Sequence, residues 1–387
     1  MRSRQKYYRD VLASRTSRIV ASLDMHEKST YVFILDVRTG EILYDANITG
    51  GFKPILRCLK SHVKPKRESV ILYEAGGFGY YPYRFFSKHG YECKMIAPHS
   101  IPDRKRRKND RADAMDNLKD HLAGQLRYVH IPSVEDVESR ECLRHRFRVQ
   151  WHLTKQKQQI LALLKRHGVK YEETKSNWTK VHWIWLRNLQ LSPALRATLD
   201  LYLEQTDLLV GQLERLDELL DRMFSQNERY ARESALYRSL PGVGRIGAMV
   251  FVLEVGCMER FRHPKMVMSY AGVVPDVQQS GDKNPSLSIT KVGNCLFRLH
   301  AVRMARQYSD HRSLHRHKQL DAMPPVLREF VNRAQARLHT RYRHLVARHK
   351  GGNKAAVAVA REACGYLWEL MVKVKPQLEQ SGYPLAA

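Results

Sequence analysis

The sequence predicts an α/β domain followed by a longer, mostly helical region. Two observations carry this. Strand-like runs are confined to the stretch before Pro98, first in succession and then alternating with helical spacing. From Glu135 onward the strand signals stop, and apolar residues recur every three or four positions. A meander that turns into strand–helix alternation implies a mixed sheet. The expected organisation is three regions: 1–133, 134–235 and 236–387.

The first strand covers residues 18–24 and ends in an acid, Asp24. Tyr31–Val37 and Glu41–Ile48 follow, with Thr39 and Gly40 between them as a hairpin turn. Phe52–His62 has helical spacing. Ser69–Tyr73 is a fourth strand, again followed by an acid, Glu74, and Tyr91–Ala97 a fifth. Ala112, Ala114, Met115 and Leu118 favour a helix around Asp110 and Asp113. Residues 135–167 read as one long helix, followed by Trp178, Trp183 and Trp185. Leu199, Tyr202, Thr206, Leu209, Leu213, Leu216, Leu220 and Met223 then alternate spacings of three and four, an a/d seam. The seam fits a hairpin with residues 135–167 or a coiled coil between protomers. The third region opens on Leu240-Pro-Gly-Val-Gly244 and contains a strongly basic stretch from Arg303 to Lys354.

Lys and Arg number 66 against 39 Asp and Glu, a net charge of +27 over 387 residues. Such an excess points to a phosphate-rich partner. An anionic membrane surface is the rival reading. No apolar run reaches the ~18 residues that a membrane span requires, and no signal-type stretch follows the charged N-terminus. The six cysteines show no C-x-x-C spacing, which argues against a zinc site and suits a reducing cytoplasm.

Four features carry chemistry. Asp24 and Glu74 terminate strands, where sites form in open α/β sheets. Asp110 and Asp113 share one helix face at i, i+3 spacing. Convergence of the four would require protons or hard cations such as Mg²⁺, which favour phosphoryl transfer. Singly, each acid reads as a turn, cap or solvated residue, and Asp103 or Asp116 is a substitute member. The loop before them carries Arg104, Lys105, Arg106, Arg107, Lys108 and Arg111, suited to a nucleic-acid backbone or merely to solvent. Second, Gly242 and Gly244 in the Gly-rich turn fit a helix-hairpin-helix phosphate site, or an ordinary helix–helix turn. Third, Ser280 stands before Gly281 in a polar loop, with Lys283, Lys291 and Arg298 after it. Such a serine attacks phosphorus only with cationic help, and by chemistry alone it reads as a turn. Fourth, the basic stretch has Tyr308 and Tyr342 among its arginines, suiting phosphate contacts with occasional stacking.

In this order the pieces resemble the insertion-sequence transposases of the IS110 family and its IS1111 branch. The matching stretches include Tyr73-Glu-Ala-Gly76, Lys108-Asn-Asp-Arg-Ala-Asp-Ala114, Leu240-Pro-Gly-Val-Gly244, Tyr270-Ala-Gly-Val-Val-Pro275 and Gln279-Ser-Gly281. Asn109 departs from the family's usual threonine. The resemblance implies a RuvC-like, ribonuclease-H-type N-terminal domain with a D-E-D-D tetrad at Asp24, Glu74, Asp110 and Asp113, holding Mg²⁺ or, as the alternative, Mn²⁺. It implies that Ser280 attacks DNA and holds it as a phosphoserine. It further implies donor and target DNA paired by a structured bridge RNA, assembly as a homodimer or homotetramer through coiled coils, no membrane partner, and a nucleoid-associated, cytoplasmic place in a bacterial or archaeal cell. A hydrolytic RuvC-like nuclease or junction resolvase, and a non-catalytic nucleic-acid-binding protein, are the alternatives.

Overall fold

The computed structural model describes residues 18–64, 66–98, 109–173, 176–276, 288–309, 323–348 and 351–383. The chain divides into two compact units, Met1–Ile131 and Pro132–Ala387.

The first unit is built on a five-stranded mixed sheet. Its strands are β1 (Ile19–Met25), β2 (Ser29–Asp36), β3 (Glu41–Thr49), β4 (Ser69–Glu74) and β5 (Glu92–Ile96), in the order β3-β2-β1-β4-β5. β1, β2 and β3 are antiparallel neighbours, whereas β4 runs parallel to β1 and β5 parallel to β4. This is the mixed sheet that the strand runs predict. Gly40, at φ 76°, closes the β2–β3 turn in a conformation that favours glycine.

Strand alternation then decides which residues meet which helix. Ile19, Ala21, Leu23, Ile71 and Tyr73 share a core with α1 (Phe52–His62) and α2 (Tyr81–Lys88). Val20, Val70 and Leu72 lie in a second core with Ala114, Leu118 and Leu122 of α3 (Asp110–Ala123). Asp24 and Glu74 continue this second alternation, so both belong to the α3 face. Leu23 pairs with Tyr73, which brings the two acids to the same level on adjacent parallel strands.

The second unit is helical. α4 (Val134–Arg166) and α6 (Pro193–Gln226) form a long hairpin, with α5 (Lys180–Asn188) between them in sequence. At one end, Ile160, Leu163 and Leu164 pack with Leu186, Leu199 and Leu203, flanked by Trp178, Trp183 and Trp185. At the other, Leu143, Leu220 and Phe224 join the main core. That core is built by α7 (Glu228–Arg238), α8 (Arg245–Val255), α9 (Pro264–Tyr270), α10 (Cys295–Gln307), α11 (Pro325–Ala347) and α12 (Gly352–Glu369). A π-helical turn, Leu370–Val374, leads into α13 (Lys375–Gln380).

The hairpin face of α6 is shifted from the predicted seam. Leu199, Thr206 and Leu220 are buried as expected, but Leu203 and Phe224 are buried beside them, whereas Tyr202 and Met223 are only half-buried. The alternation starts with a step of four rather than three, which turns the contact stripe toward Leu203. Thr206 is tolerated because its hydroxyl donates to the Tyr202 carbonyl at 2.8 Å. Arg146 of α4 grips Asp217 of α6 with two hydrogen bonds, 3.0 and 3.2 Å.

All five tryptophans, at 151, 178, 183, 185 and 368, belong to the second unit, so their fluorescence reports its unfolding alone. Phe224→Ala is expected to destabilise that unit by about 3–5 kcal/mol, and Met223→Ala by well under half as much. Urea unfolding followed by tryptophan emission checks this. Equal losses would restore the seam read from the sequence.

Candidate active site

Three elements build the acidic cluster. β1 delivers Asp24, β4 delivers Glu74, and the first turn of α3 delivers Asp110 and Asp113. α3 begins where it does because Asn109 caps it, its side-chain oxygen accepting the Ala112 N–H at 2.7 Å. Asparagine caps as threonine does, so the departure from the family pattern preserves the helix start. Two carboxylates in the first turn also suit the positive end of the helix dipole. One turn further along the same face, Asn117 donates from Nδ2 to Glu74 Oε1 at 2.7 Å.

The sequence reading missed His26. Its Nε2 lies 3.5 Å from Asp24 Oδ2 and 3.7 Å from Asp110 Oδ1. One ligand atom from each of these three residues lies within 4.8 Å of the other two. The signal was the two-residue step from Asp24, which keeps the chain on the same side of the sheet. Burial pushes the Asp24 carboxyl above the usual carboxylate range; His26 opposes this, and the charges of Asp110, Glu74 and Asp113 add to it. All four predicted acids are therefore brought together electrostatically around Asp24. This donor set, hard oxygens with one imidazole and a surplus of negative charge, fits a divalent cation such as Mg²⁺ or Mn²⁺. Asp116 is buried on α3 and ion-paired to Lys119 at 3.4 Å.

The basic residues fall differently. Arg104, Lys105, Arg106, Arg107 and Lys108, with Asp103, lie outside the described residues. Arg111 is committed to Asp45: Nε donates to Oδ2 at 2.9 Å and Nη2 binds the same carboxylate, whose other oxygen accepts the Tyr31 hydroxyl at 2.6 Å. The Arg111 hydrogen bonds hold the Asp45 carboxyl below its usual range.

In the second unit, Ser280 and Lys283 lie outside the described residues. Asp276 N–H donates to Ser288 O at 2.8 Å and Thr290 N–H to Val274 O at 3.0 Å. Lys291 is exposed in the left-handed region, φ 54°, with its N–H on Gly272 O. Arg298 is turned inward: Nη1 donates to Ala271 O at 2.9 Å and Lys291 O at 3.1 Å. Its guanidinium clamps the turn. Behind this lies Glu254, 1% exposed. It accepts two hydrogen bonds from Arg144, each 2.8 Å, and one from Asn294 Nδ2 at 2.6 Å. Asn294 in turn caps α10, accepting the Phe297 N–H at 2.9 Å.

Gly242, at φ 85°, has a packing reason: a Cβ there would lie 2.8 Å from Met304 O and 2.9 Å from Gln307 Cγ. Gly244 is exposed and starts α8 without a side-chain cap among the described residues. The stacking role expected of Tyr308 is corrected: it is fully buried in the main core. Several basic-stretch arginines are paired internally, Arg333 with Glu369 at 2.8 Å and Arg337 with Glu362 at 2.5 Å.

Clustered carboxylates at the ends of parallel strands, in so basic a chain, suit the class of proteins that act on polynucleotides. Comparison with known proteins makes this specific. A profile of the transposase family IS116/IS110/IS902 matches residues 234–320. The chain is 30% identical to a putative transposase, y4qE, of Sinorhizobium fredii over 86% of its length and 83% of that protein. It is 25% identical to the transposase of insertion sequence element IS1111A of Coxiella burnetii, over 81% of this chain and 80% of the relative. The chain belongs to the IS116/IS110/IS902 family of transposases. Among the described residues, no helix is long and apolar enough to cross a membrane.

Because the Asp24 pKa is raised in the folded state, ionised Asp24 subtracts from stability at neutral pH, and the cost vanishes below the unfolded carboxyl value. In chelator at pH 7, Asp24→Asn is therefore expected to melt higher than the wild type, and the difference to close as pH falls below about 4. Thermal melting by circular dichroism at both pH values checks this. A lower melting temperature for the variant at pH 7 would contradict the sign.

Proposed function

We propose that this transposase recombines DNA by attack of Ser280 on the backbone, within an RNA-guided complex. The grouping of Asp24, His26 and Asp110, with the charges of Glu74 and Asp113 acting on Asp24, is the observation that carries the reading. The strand order β3-β2-β1-β4-β5, with an antiparallel meander leading into parallel strands, supports a RuvC-like, ribonuclease-H-type domain. The tetrad residues, with His26 beside them, would hold Mg²⁺ or Mn²⁺. Such a cation, when bound, neutralises phosphate charge and assists phosphoryl transfer.

The chain's own groups do the rest. Ser280 Oγ forms an ester to a DNA phosphorus, one backbone P–O bond breaks, and a DNA hydroxyl leaves with the serine's proton supplied through the surrounding base or water. Attack by another DNA hydroxyl reverses the ester and joins a new strand, so no external energy source is required. Lys283 and Lys291 are placed in sequence to offset the charge that develops on phosphate. The Arg104–Lys108 run serves the nucleic-acid backbone. A bridge RNA supplies the pairing to donor and target DNA, and homodimers or homotetramers form through the α4–α6 hairpins. The partly exposed face of α6, with Leu201 at 66% and Leu208 at 57% exposure, supports that last element.

Purified protein with Mg²⁺, the RNA transcribed from the element's flank and labelled donor DNA, trapped under denaturing conditions, tests the reading. A protein–DNA adduct is expected with wild type and absent with Ser280→Ala. Asp24→Ala is expected to slow adduct formation by at least ~10²-fold. Cleaved DNA without an adduct in either protein would mean hydrolysis, and the serine assignment would fall.

A further inference from the structure

A cavity of about 630 Å³ lies in the second unit. One wall is α4, with Arg144, Phe147, Arg148 and Trp151; the other is the start of α10, with Cys295 and Leu296. Its volume is in the range of small-ligand sites. Trp151 is the unusual member. It is 56% exposed in the middle of a long helix, although it is a large aromatic side chain that folding ordinarily covers. The His152 ring meets it edge-on with centroids 4.9 Å apart, and Lys155 Nζ stands 5.7 Å from the ring centroid.

The rest of the cavity is suited to an anion. Arg148 is exposed, and its ion-pair contact among the described residues is a long one, 3.8 Å to Glu141, itself exposed. Glu254 is the acid of the lining, but it is buried and already accepts hydrogen bonds from Arg144 and Asn294. Asn294 takes the N–H of Phe297, while Cys295 and Leu296 supply first-turn N–H groups, which have no intrahelical acceptor. An exposed indole with cations and helix N–H groups on its rim is the chemistry that binds one nucleotide: a π-face for the base and donors for its phosphate.

We propose that this cavity binds a single unpaired nucleotide, its base stacked on Trp151 and its phosphate held by Arg148 and the first turn of α10. A paired base cannot present its face to the indole, so the ligand is an unpaired residue of a DNA strand or of an RNA loop. The inference rests on the reading of this chain as a nucleic-acid enzyme and adds a contact to it. The wall at Cys295 follows Ser280 in sequence after the paired stretch Ser288–Thr290, so a nucleotide held here would be anchored beside the chain that returns from the serine.

The test uses the full chain and labelled short single strands of DNA and of RNA of one sequence, together with the corresponding DNA duplex. Affinities are measured by fluorescence anisotropy at fixed salt, because phosphate contacts make them salt-dependent. Trp151→Ala is expected to weaken single-strand binding about tenfold, while Trp151→Phe retains most of it and duplex binding is unchanged. Loss on one of the two single strands assigns DNA or RNA as the source. Unchanged single-strand affinity for Trp151→Ala would overturn the proposal, as would an equal loss on duplex. A fall in oligomer mass with unchanged affinity would instead assign the cavity to a second copy, and also overturns it. The two readings fail separately: a Trp151 effect without any Ser280 adduct leaves the pocket standing, and an adduct without a Trp151 effect removes the pocket alone.

Discussion

Repulsion among carboxylates is the constraint to which the first unit answers. Asp24 and Asp110 have oxygens within 4.8 Å of a common imidazole and of each other. Two unit charges at such a separation repel by roughly 3–4 kcal/mol at an effective dielectric near 20. Burial of Leu118 and Leu122 under the sheet contributes about 1.5–3 kcal/mol each, so α3 holds its acids against the strand ends only because the helix below them is apolar. Asn109 at the cap and Asn117 on Glu74 then fix where the acids stand. The His26 imidazole stands beside both Asp24 and Asp110 and opposes the rise at Asp24.

The second unit solves a related problem with the opposite sign. Arg140, Arg144 and Asn294 converge on the buried Glu254, and Arg140 also donates twice to Leu253 O, at 3.0 and 2.7 Å. A buried ion pair is weak evidence for stability, yet removing one partner leaves an uncompensated charge at a cost of about 3–5 kcal/mol. Its service is positional. The network ties α4, α8 and the start of α10 to one carboxylate, and α10 begins where the chain returns from Ser280. Arg298 and the tight approaches at Gly272 and Gly293, where a Cβ would lie 2.6 and 2.2 Å from backbone oxygens, hold the same return.

Much of this was legible in the sequence, for a physical reason. Strand period and strand-terminal acids are local signals, so β1 to β5 and the placing of Asp24 and Glu74 followed from residue type and spacing. Asp110 and Asp113 followed from helix geometry. What was not legible depended on partners distant in sequence. Arg111 reads as a phosphate contact until Asp45, on β3, takes it up. Arg298 reads likewise until the carbonyls of Ala271 and Lys291 are seen around it. Tyr308 sits among arginines in sequence but within the main core in space. The α6 stripe keeps Leu199, Thr206 and Leu220 but takes Leu203 and Phe224 beside Tyr202 and Met223, because both choices satisfy a three-four alternation and only packing against α4 selects between them.

These internal commitments sharpen the meaning of the net charge. With 66 cationic residues and 39 acids, one-to-one pairing inside the molecule would still leave a surplus of +27. Arginines on α11 that pair with Glu362 and Glu369 mainly secure helix packing, so local charge density is a poor guide to where phosphate binds. The better guide is an exposed cation, at most loosely paired among the described residues, that stands beside a surface with another unmet preference. By that criterion Lys291, exposed in a strained left-handed turn, and Arg148, beside an exposed indole, carry more information than the longest basic run. Both lie near the start of α10, Lys291 four residues before Cys295 and Arg148 on the cavity wall that faces Cys295 and Leu296.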